Sequence, residues 1–254
     1  MRMRFAVEFS YDSGLVAVSI AIAILGSFTG LVVTTGIRHV QGPEVILRVI
    51  LGGLGVGGGI WSMHFIAMLA VNLPIPLSYD VAETAISAVL AVIFTALAFA
   101  IFGRNMLGKY TLPASALFLG TGIAGMHYLG MSAVRGNCLT TYSWLGVSIS
   151  VLIAIQASGV ALWFAFRERG VVDTLLGAVA LGLAIASMHY SGMEATRFLP
   201  VENAAEAVHG TLSKAHLAVA ISMMTYSVCG LCIFIFAFRT FGRRTASPVR
   251  PRLN

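Results

Sequence analysis

Charge is scarce in this chain. Only 10% of its 254 residues are Asp, Glu, Lys or Arg, against about a quarter in a soluble globular domain. That is too little to cover a water-facing surface, so a soluble fold is excluded. Cysteine is scarce too. Cys138, Cys229 and Cys232 make no disulfide framework. There is no long polar stretch in which a soluble output domain could sit. There is also no paired catalytic acid and base and no nucleophile constellation, so the chain is not read as an enzyme.

What is there is apolar sequence, 58% of the chain, with a mean hydropathy of +0.90. It falls into seven runs, roughly 14–35, 45–71, 81–103, 112–134, 143–166, 171–196 and 215–238. Runs of about 20 apolar residues match the hydrocarbon thickness, and in lipid a helix satisfies its own backbone. The expectation is an all-α membrane protein with seven transmembrane helices, a single domain over 1–254 and the lipid bilayer as its surroundings. The first run follows Glu8 and Asp12 and ends without a small-residue cleavage site. It reads as a retained helix and not as a signal peptide.

The net charge of +6 reports topology, and nucleic acid is not the implied partner. Arg38 and Arg48, Arg104 and Lys109, Arg167 and Arg169, and the five arginines from Arg239 onward all fall on one side of the seven-helix pattern. Arg2, Arg4, Arg135, Arg197 and Lys214 fall on the other. The positive-inside rule puts the richer side in the cytoplasm. The expected orientation is N-terminus out and C-terminus in.

One arrangement recurs. Residues 62–68 read SMHFIAM, 125–131 read GMHYLGM and 187–193 read SMHYSGM. The histidines are 63 and 62 residues apart, which is two membrane helices with their loops. The chain therefore reads as three two-helix repeats plus one extra helix, and repeats of this kind carry sites at their interface. Helices 2, 4 and 6 run in the same direction. Eight residues after each histidine comes Asn72, Arg135 or Arg197, about 12 Å along a helix. The three histidines are thus expected at one level in the outer half of the bilayer.

Faces follow from the helical period. Positions i and i+4 share a face, so His64 points with Met68, His127 with Met131 and His189 with Met193. Met63, Met126 and Met188 lie at the edge of the same faces. Imidazole and thioether together suit copper, Cu(I) above all, better than Mg²⁺, Ca²⁺ or Zn²⁺. Histidine and methionine also ligate haem, although three equivalent histidines fit its two axial positions less neatly. Ionisable groups at membrane depth are costly and are usually kept for function.

Other features read as structure. Gly52, Gly53, Gly55, Gly57, Gly58 and Gly59 lack the Lys-Ser/Thr of a phosphate loop and suit close helix contact, with Gly26 and Gly30 as the matching surface. Cys229 and Cys232, one turn apart in helix 7, read as small packing residues. Asp80, Glu83 and Glu194 lie near the outer level as interfacial carboxylates, with charge compensation of a bound cation as the functional alternative. His209 and His216 flank the start of helix 7 as loop residues, and His39 lies on the inner side.

GGGIWSMHFIAM (57–68), GIAGMHYLGM (122–131) and LAIASMHYSGM (183–193) make the chain resemble the MHYT family of bacterial membrane sensors over roughly 10–240. The namesake Thr is replaced by Ile66, Leu129 and Ser191, and the first aromatic is Phe65. The resemblance implies a multi-pass protein of the bacterial inner membrane. It implies copper near the outer face, held by Met63, His64 and Met68, Met126, His127 and Met131, and Met188, His189 and Met193. It implies sensing of a diatomic gas, O₂, CO or NO, or of redox state, with output to a cytoplasmic signalling partner. A copper carrier or metallochaperone and a haem-b electron carrier stand as the alternatives.

Overall fold

The computed structural model describes residues 7–104, 109–165, 170–200 and 211–245. Within them the chain forms seven helices: α1 (Ser13–Thr34), α2 (Pro43–Leu69), α3 (Val81–Arg104), α4 (Thr111–Ser132), α5 (Trp144–Ala165), α6 (Val171–Glu194) and α7 (Lys214–Thr245). Six of them, all except α4, are long and apolar enough to cross a membrane. α4 has the length, 22 residues, but Gly120, Gly122, Gly125 and Gly130 with Ser115 and Thr121 dilute its hydropathy.

From α1 to α6 each helix packs on the next, and α6 returns to α1, so these six close a ring. The even helices α2, α4 and α6 also meet one another across its middle. α7 stands outside the ring, against α2 and α1. α2 is therefore enclosed on several sides, and it is buried almost without interruption from Leu51 to Met68.

The α1–α2 contact is made through glycine. A Cβ on Gly26 would lie 2.5 Å from the Gly59 Cα, and one on Gly30 would lie 3.0 Å from the Gly52 carbonyl oxygen. In a bilayer, where lipid is as apolar as the core, such backbone approach supplies the packing that holds helices together. The expected match of Gly26 and Gly30 to the glycine run of α2 is what the structure contains.

Short strands, absent from the all-helical expectation, close one end of the ring. β1 (Ser10–Tyr11) pairs with β2 (Val71–Asn72), β3 (Ser78–Asp80) with β4 (Val134–Arg135), and β5 (Cys138–Tyr142) with β6 (Thr196–Pro200), all antiparallel. β7 (Thr211–Leu212) adds to the free side of β3. In each of the first three pairs, a strand entering an odd helix meets a strand leaving the following even helix. The joint is completed by backbone bonds from Asp12 to Ala70 (2.9 Å), Asp80 to Ala133 (2.8 Å) and Ser143 to Ala195 (2.9 Å). The same three residues cap the odd helices with their side chains, accepting from the amides of Leu15, Glu83 and Gly146. Loop backbone near a membrane must find partners, and here the loops bond to each other.

Several expected features lie elsewhere than in a site. Cys232 donates to the Leu51 carbonyl at 3.6 Å, and Cys229 is buried too, so the C-x-x-C is packing between α7 and its neighbours. Arg167, Arg169, His209 and the basic residues after 245 lie outside the described residues.

Candidate metal centre

The three motif histidines meet. His64, His127 and His189, from α2, α4 and α6, are buried to 0–1% exposure. Their Nδ1 atoms form a near-equilateral triangle, with edges of 3.1 Å (His64–His189), 3.2 Å (His64–His127) and 3.2 Å (His127–His189). The rings stand nearly perpendicular to one another, with centroids 5.0–5.1 Å apart. Equal depth on three helices of one direction is what allows this.

The triangle cannot satisfy itself with hydrogen bonds. A neutral imidazole nitrogen either donates or accepts, never both. One proton at most bridges into the triangle, and the remaining lone pairs face each other. The opposite nitrogen, Nε2, has no hydrogen-bond partner on any of the three rings. Buried polar atoms left this way are costly and call for an explanation. A cation among the Nδ1 atoms would account for their convergence, with the proton of each ring then on Nε2. A triangle of this size places each Nδ1 about 1.8 Å from the centre, and a metal–imidazole bond is about 2.0 Å. The triangle is thus of a size at which His64, His127 and His189 would hold one ion together. Among the described residues this is the group of His, Cys, Asp and Glu side chains close enough to hold one ion.

The helical register stacks further layers on the triangle. One turn toward the strand-capped end come Met68, Met131 and Met193, each 0% exposed. Met63, Met126 and Met188, beside the histidines, are 1% exposed. One turn the other way come Ile60, Ile123 and Ile185, and a turn beyond them Val56, Leu119 and Leu181, all buried. The site thus lies under a thioether layer and above two apolar layers.

The expected carboxylates stay out of it. Glu83 pairs with Arg135 at 2.8 Å and Asp80 with the same guanidinium at 3.6 Å, at the partly exposed end of α3 and α4. Glu194 is exposed. His216 bonds Ser213 at 3.0 Å, and His39 is exposed at the far end. Among the described residues, an ion at the triangle has three nitrogens and no carboxylate beside it, and an uncompensated second charge at low dielectric is expensive. The donor set favours a monovalent ion.

A second set of residues supports the motif, and the sequence reading missed it. Each motif aromatic packs edge-on against a tyrosine at the start of an odd helix: Phe65 on Tyr79 (5.8 Å), Tyr128 on Tyr142 (5.5 Å) and Tyr190 on Tyr11 (5.5 Å). Eight residues after each of those tyrosines is a serine. The Tyr128 hydroxyl lies 2.7 Å from Ser150 Oγ and that of Tyr190 lies 3.1 Å from Ser19 Oγ. Both serines donate to carbonyls of their own helix, Val147 and Val16, so each tyrosine is the donor. Phe65 has no hydroxyl. There Ser87 bonds the Thr84 carbonyl, which also accepts from the Trp61 indole at 2.9 Å. The signal was present as YDSGLVAVS (11–19), YDVAETAIS (79–87) and YSWLGVSIS (142–150). Burial pushes Tyr142 up to about 12, with Tyr128 adding to it, and raises Tyr11 and Tyr79 as well. All three remain neutral phenols at physiological pH.

Replacing Tyr128 by Phe is expected to lower stability by about 1 kcal/mol, read as a drop in melting temperature of the detergent-solubilised protein. Phe65→Leu, where no hydroxyl is at stake, serves as the packing comparison. An unchanged melting temperature in Tyr128→Phe would show that the seam does not use this bond.

Comparison with known proteins agrees with the motifs. The family model "MHYT, bacterial signalling protein N terminal repeat" matches residues 1–46, 57–112, 120–178 and 182–247, that is, four stretches, three of which carry a histidine motif. The bifunctional diguanylate cyclase/cyclic di-GMP phosphodiesterase MucR of Pseudomonas aeruginosa is 39% identical over 231 residues, covering 89% of this chain and 34% of that protein. The signaling protein YkoW of Bacillus subtilis is 30% identical over 237 residues, 90% of this chain and 29% of its own. The cyclic di-GMP phosphodiesterase NbdA of Pseudomonas aeruginosa is 34% identical over 192 residues, 73% and 24%. The chain spans about a third or less of the length of these relatives. No solved structure matches it.

Proposed function

The chain belongs to the MHYT family of bacterial signalling proteins, and on that premise we propose that it is a copper-dependent sensor of a diatomic gas or of redox state in the bacterial inner membrane. The reading takes the fold as three two-helix repeats plus α7, with the strand-capped end outside and the end of α7 in the cytoplasm. The observation that carries it is the buried Nδ1 triangle of His64, His127 and His189, whose lone pairs converge without a proton arrangement that satisfies them.

Cu(I) is the ion this donor set fits: neutral nitrogens, a layer of thioethers at Met68, Met131 and Met193, Met63, Met126 and Met188 beside them, and no carboxylate. Bound copper would supply a centre whose oxidation state and fourth ligand respond to O₂, CO or NO. The protein's own part is to hold three nitrogens in one plane, exclude water and leave one side open. The apolar layers at Ile60, Ile123 and Ile185 and at Val56, Leu119 and Leu181 close the site toward the other end of the bundle. That stacking supports exchange from the strand-capped side and speaks against a carrier that passes ions through. Axial haem ligands stand on opposite faces of a macrocycle, and nitrogens 3.1–3.2 Å apart leave no room for one.

A route to the partner runs through α2. Ser62, two residues before His64, accepts a hydrogen bond of 2.7 Å from Thr225 of α7. A change in the histidine layer shifts α2 against α7, provided that the ligand binds the two packings with different affinity. α7 leads to the output partner, which in relatives such as MucR and NbdA is named as cyclic-di-GMP chemistry.

The test is metal analysis with an absorption spectrum on protein purified in mild detergent, followed by CO titration of the Cu(I) form. About one copper per chain, no Soret band and a spectral response to CO are expected. Copper without a CO response would return the carrier reading, and a Soret band the haem reading.

A further inference from the structure

We infer that Gly130 and Gly192 are positioning residues for the histidine triangle, each forming the seat of an imidazole from the preceding motif. The inference rests on the copper reading for its functional meaning, and its geometry stands apart from it. A Cβ built on Gly130 would lie 2.5 Å from His64 Nε2 and 2.8 Å from its Cδ2. A Cβ built on Gly192 would lie 2.5 Å from His127 Nε2 and 3.0 Å from its Cδ2. Real Cβ atoms do not approach so closely, so a side chain at either position displaces the ring.

Both glycines sit three residues after a motif histidine, and both contacts run in one rotational sense, α2 onto α4 and α4 onto α6. Neither glycine has a positive φ, so conformational freedom is not their purpose. Glycine is a poor helix former, and the imidazole beside it accounts for its presence in the last turn of α4 and of α6. The equivalent position of the first repeat is Ala67, three residues after His64 and 0% exposed; it carries a Cβ, so the glycine seat belongs to two of the three repeats.

The seat acts on the ligand atom through the rigid ring. His64 is pressed from behind by the Gly130 backbone and flanked by Phe65 at 4.7 Å and by the other two imidazoles at 5.0 Å. His127 is likewise flanked by Tyr128 at 4.8 Å. A methyl group behind the ring has no slack to absorb it, and Nδ1 on the far edge leaves the triangle. These glycines thereby set the nitrogen–nitrogen spacing, and with it the size of ion that three nitrogens hold at once.

The experiment compares Gly130→Ala and Gly192→Ala with Gly58→Ala, whose Cβ meets nothing nearer than 3.8 Å. Cu(I) affinity is measured by competition with a chromogenic chelator, and nitrogen coordination by X-ray absorption. The two seat variants are expected to bind Cu(I) at least about tenfold more weakly, with one nitrogen fewer in the shell, while Gly58→Ala behaves as wild type. A double-mutant cycle without metal supplies the second arm. Gly130→Ala lowers the apo melting temperature in the presence of His64 and has no effect in a His64→Ala background, because the missing ring makes room. If Gly130→Ala fails to fold, recovery of folded protein in the double variant is the expected result. Wild-type affinity and coordination in both seat variants would overturn the inference and leave the copper reading standing. If the wild type takes up no Cu(I), the copper reading falls and the apo cycle decides alone: coupling upholds the seat, and additivity overturns it.

Discussion

Replacing His127 and His189 together by alanine is expected to abolish the proposed copper binding. Two of three converging nitrogens disappear, and a single imidazole at membrane depth holds no ion against water and buffer. Copper retained through desalting is expected to fall from about one ion per chain to below about a tenth. The apo form should change much less. Deleting the rings opens a cavity, which destabilises. It also removes two unpartnered Nε2 atoms and the lone-pair crowding at Nδ1, which offsets that loss. The informative pair of measurements is therefore copper content and apo melting temperature on one sample. Full copper retention in the double variant would mean that the metal, where present, sits elsewhere, and the central claim would fall. Loss of copper together with loss of the fold would leave Gly130→Ala and Gly192→Ala as the cleaner probes.

Gly26→Leu is the substitution expected to damage the fold most. The Cβ alone would lie 2.5 Å from the Gly59 Cα and 2.9 Å from the Gly55 carbonyl oxygen, and neither is a flexible side-chain end. The whole of α1 must move away from α2. That opens two seams at once, because α1 also closes the ring against α6, where Ser19 meets Tyr190 and a Cβ on Gly182 would lie 2.5 Å from Ile24. Overpacking a tight contact costs roughly 1–3 kcal/mol and more where backbone cannot yield. For a backbone-to-backbone contact the upper end, above about 3 kcal/mol, is the expectation. The readout is the yield of monodisperse protein on size exclusion. Gly230→Leu, at an exposed glycine with nothing within 4 Å of its Cβ position, should match the wild type. A monodisperse Gly26→Leu protein at wild-type yield would show that the glycine seam is dispensable.

Much of the architecture was readable along the chain. Helix number and direction follow from the length of apolar runs, which the bilayer sets. The common depth of His64, His127 and His189 follows from counting residues to the helix ends. The glycine seam between α1 and α2 follows from residue size. The tyrosine–serine pairs were equally readable as a nine-residue recurrence, and were passed over because tyrosine and serine carry no obvious chemistry. Asp80 and Glu83, read as interfacial carboxylates with charge compensation as the alternative, pair with Arg135 at the partly exposed end of the bundle. Position in the sequence gives their depth and says nothing about their partner.

What the sequence determined by itself, then, is what varies along a helix axis: the helix spans and the common level of the three motifs. The tertiary structure decided everything that depends on rotation about that axis and on closure. It decided that Nδ1 and not Nε2 faces the centre, that the ring closes through α6 and α1 with α7 left outside, that the loops pair as strands, and that Gly130 and Gly192 sit behind the imidazoles of other helices. The reason is physical. In water, a helix reveals its inward face by being polar on the other. In a bilayer both faces are apolar, so hydropathy fixes depth and leaves rotation to be settled by packing.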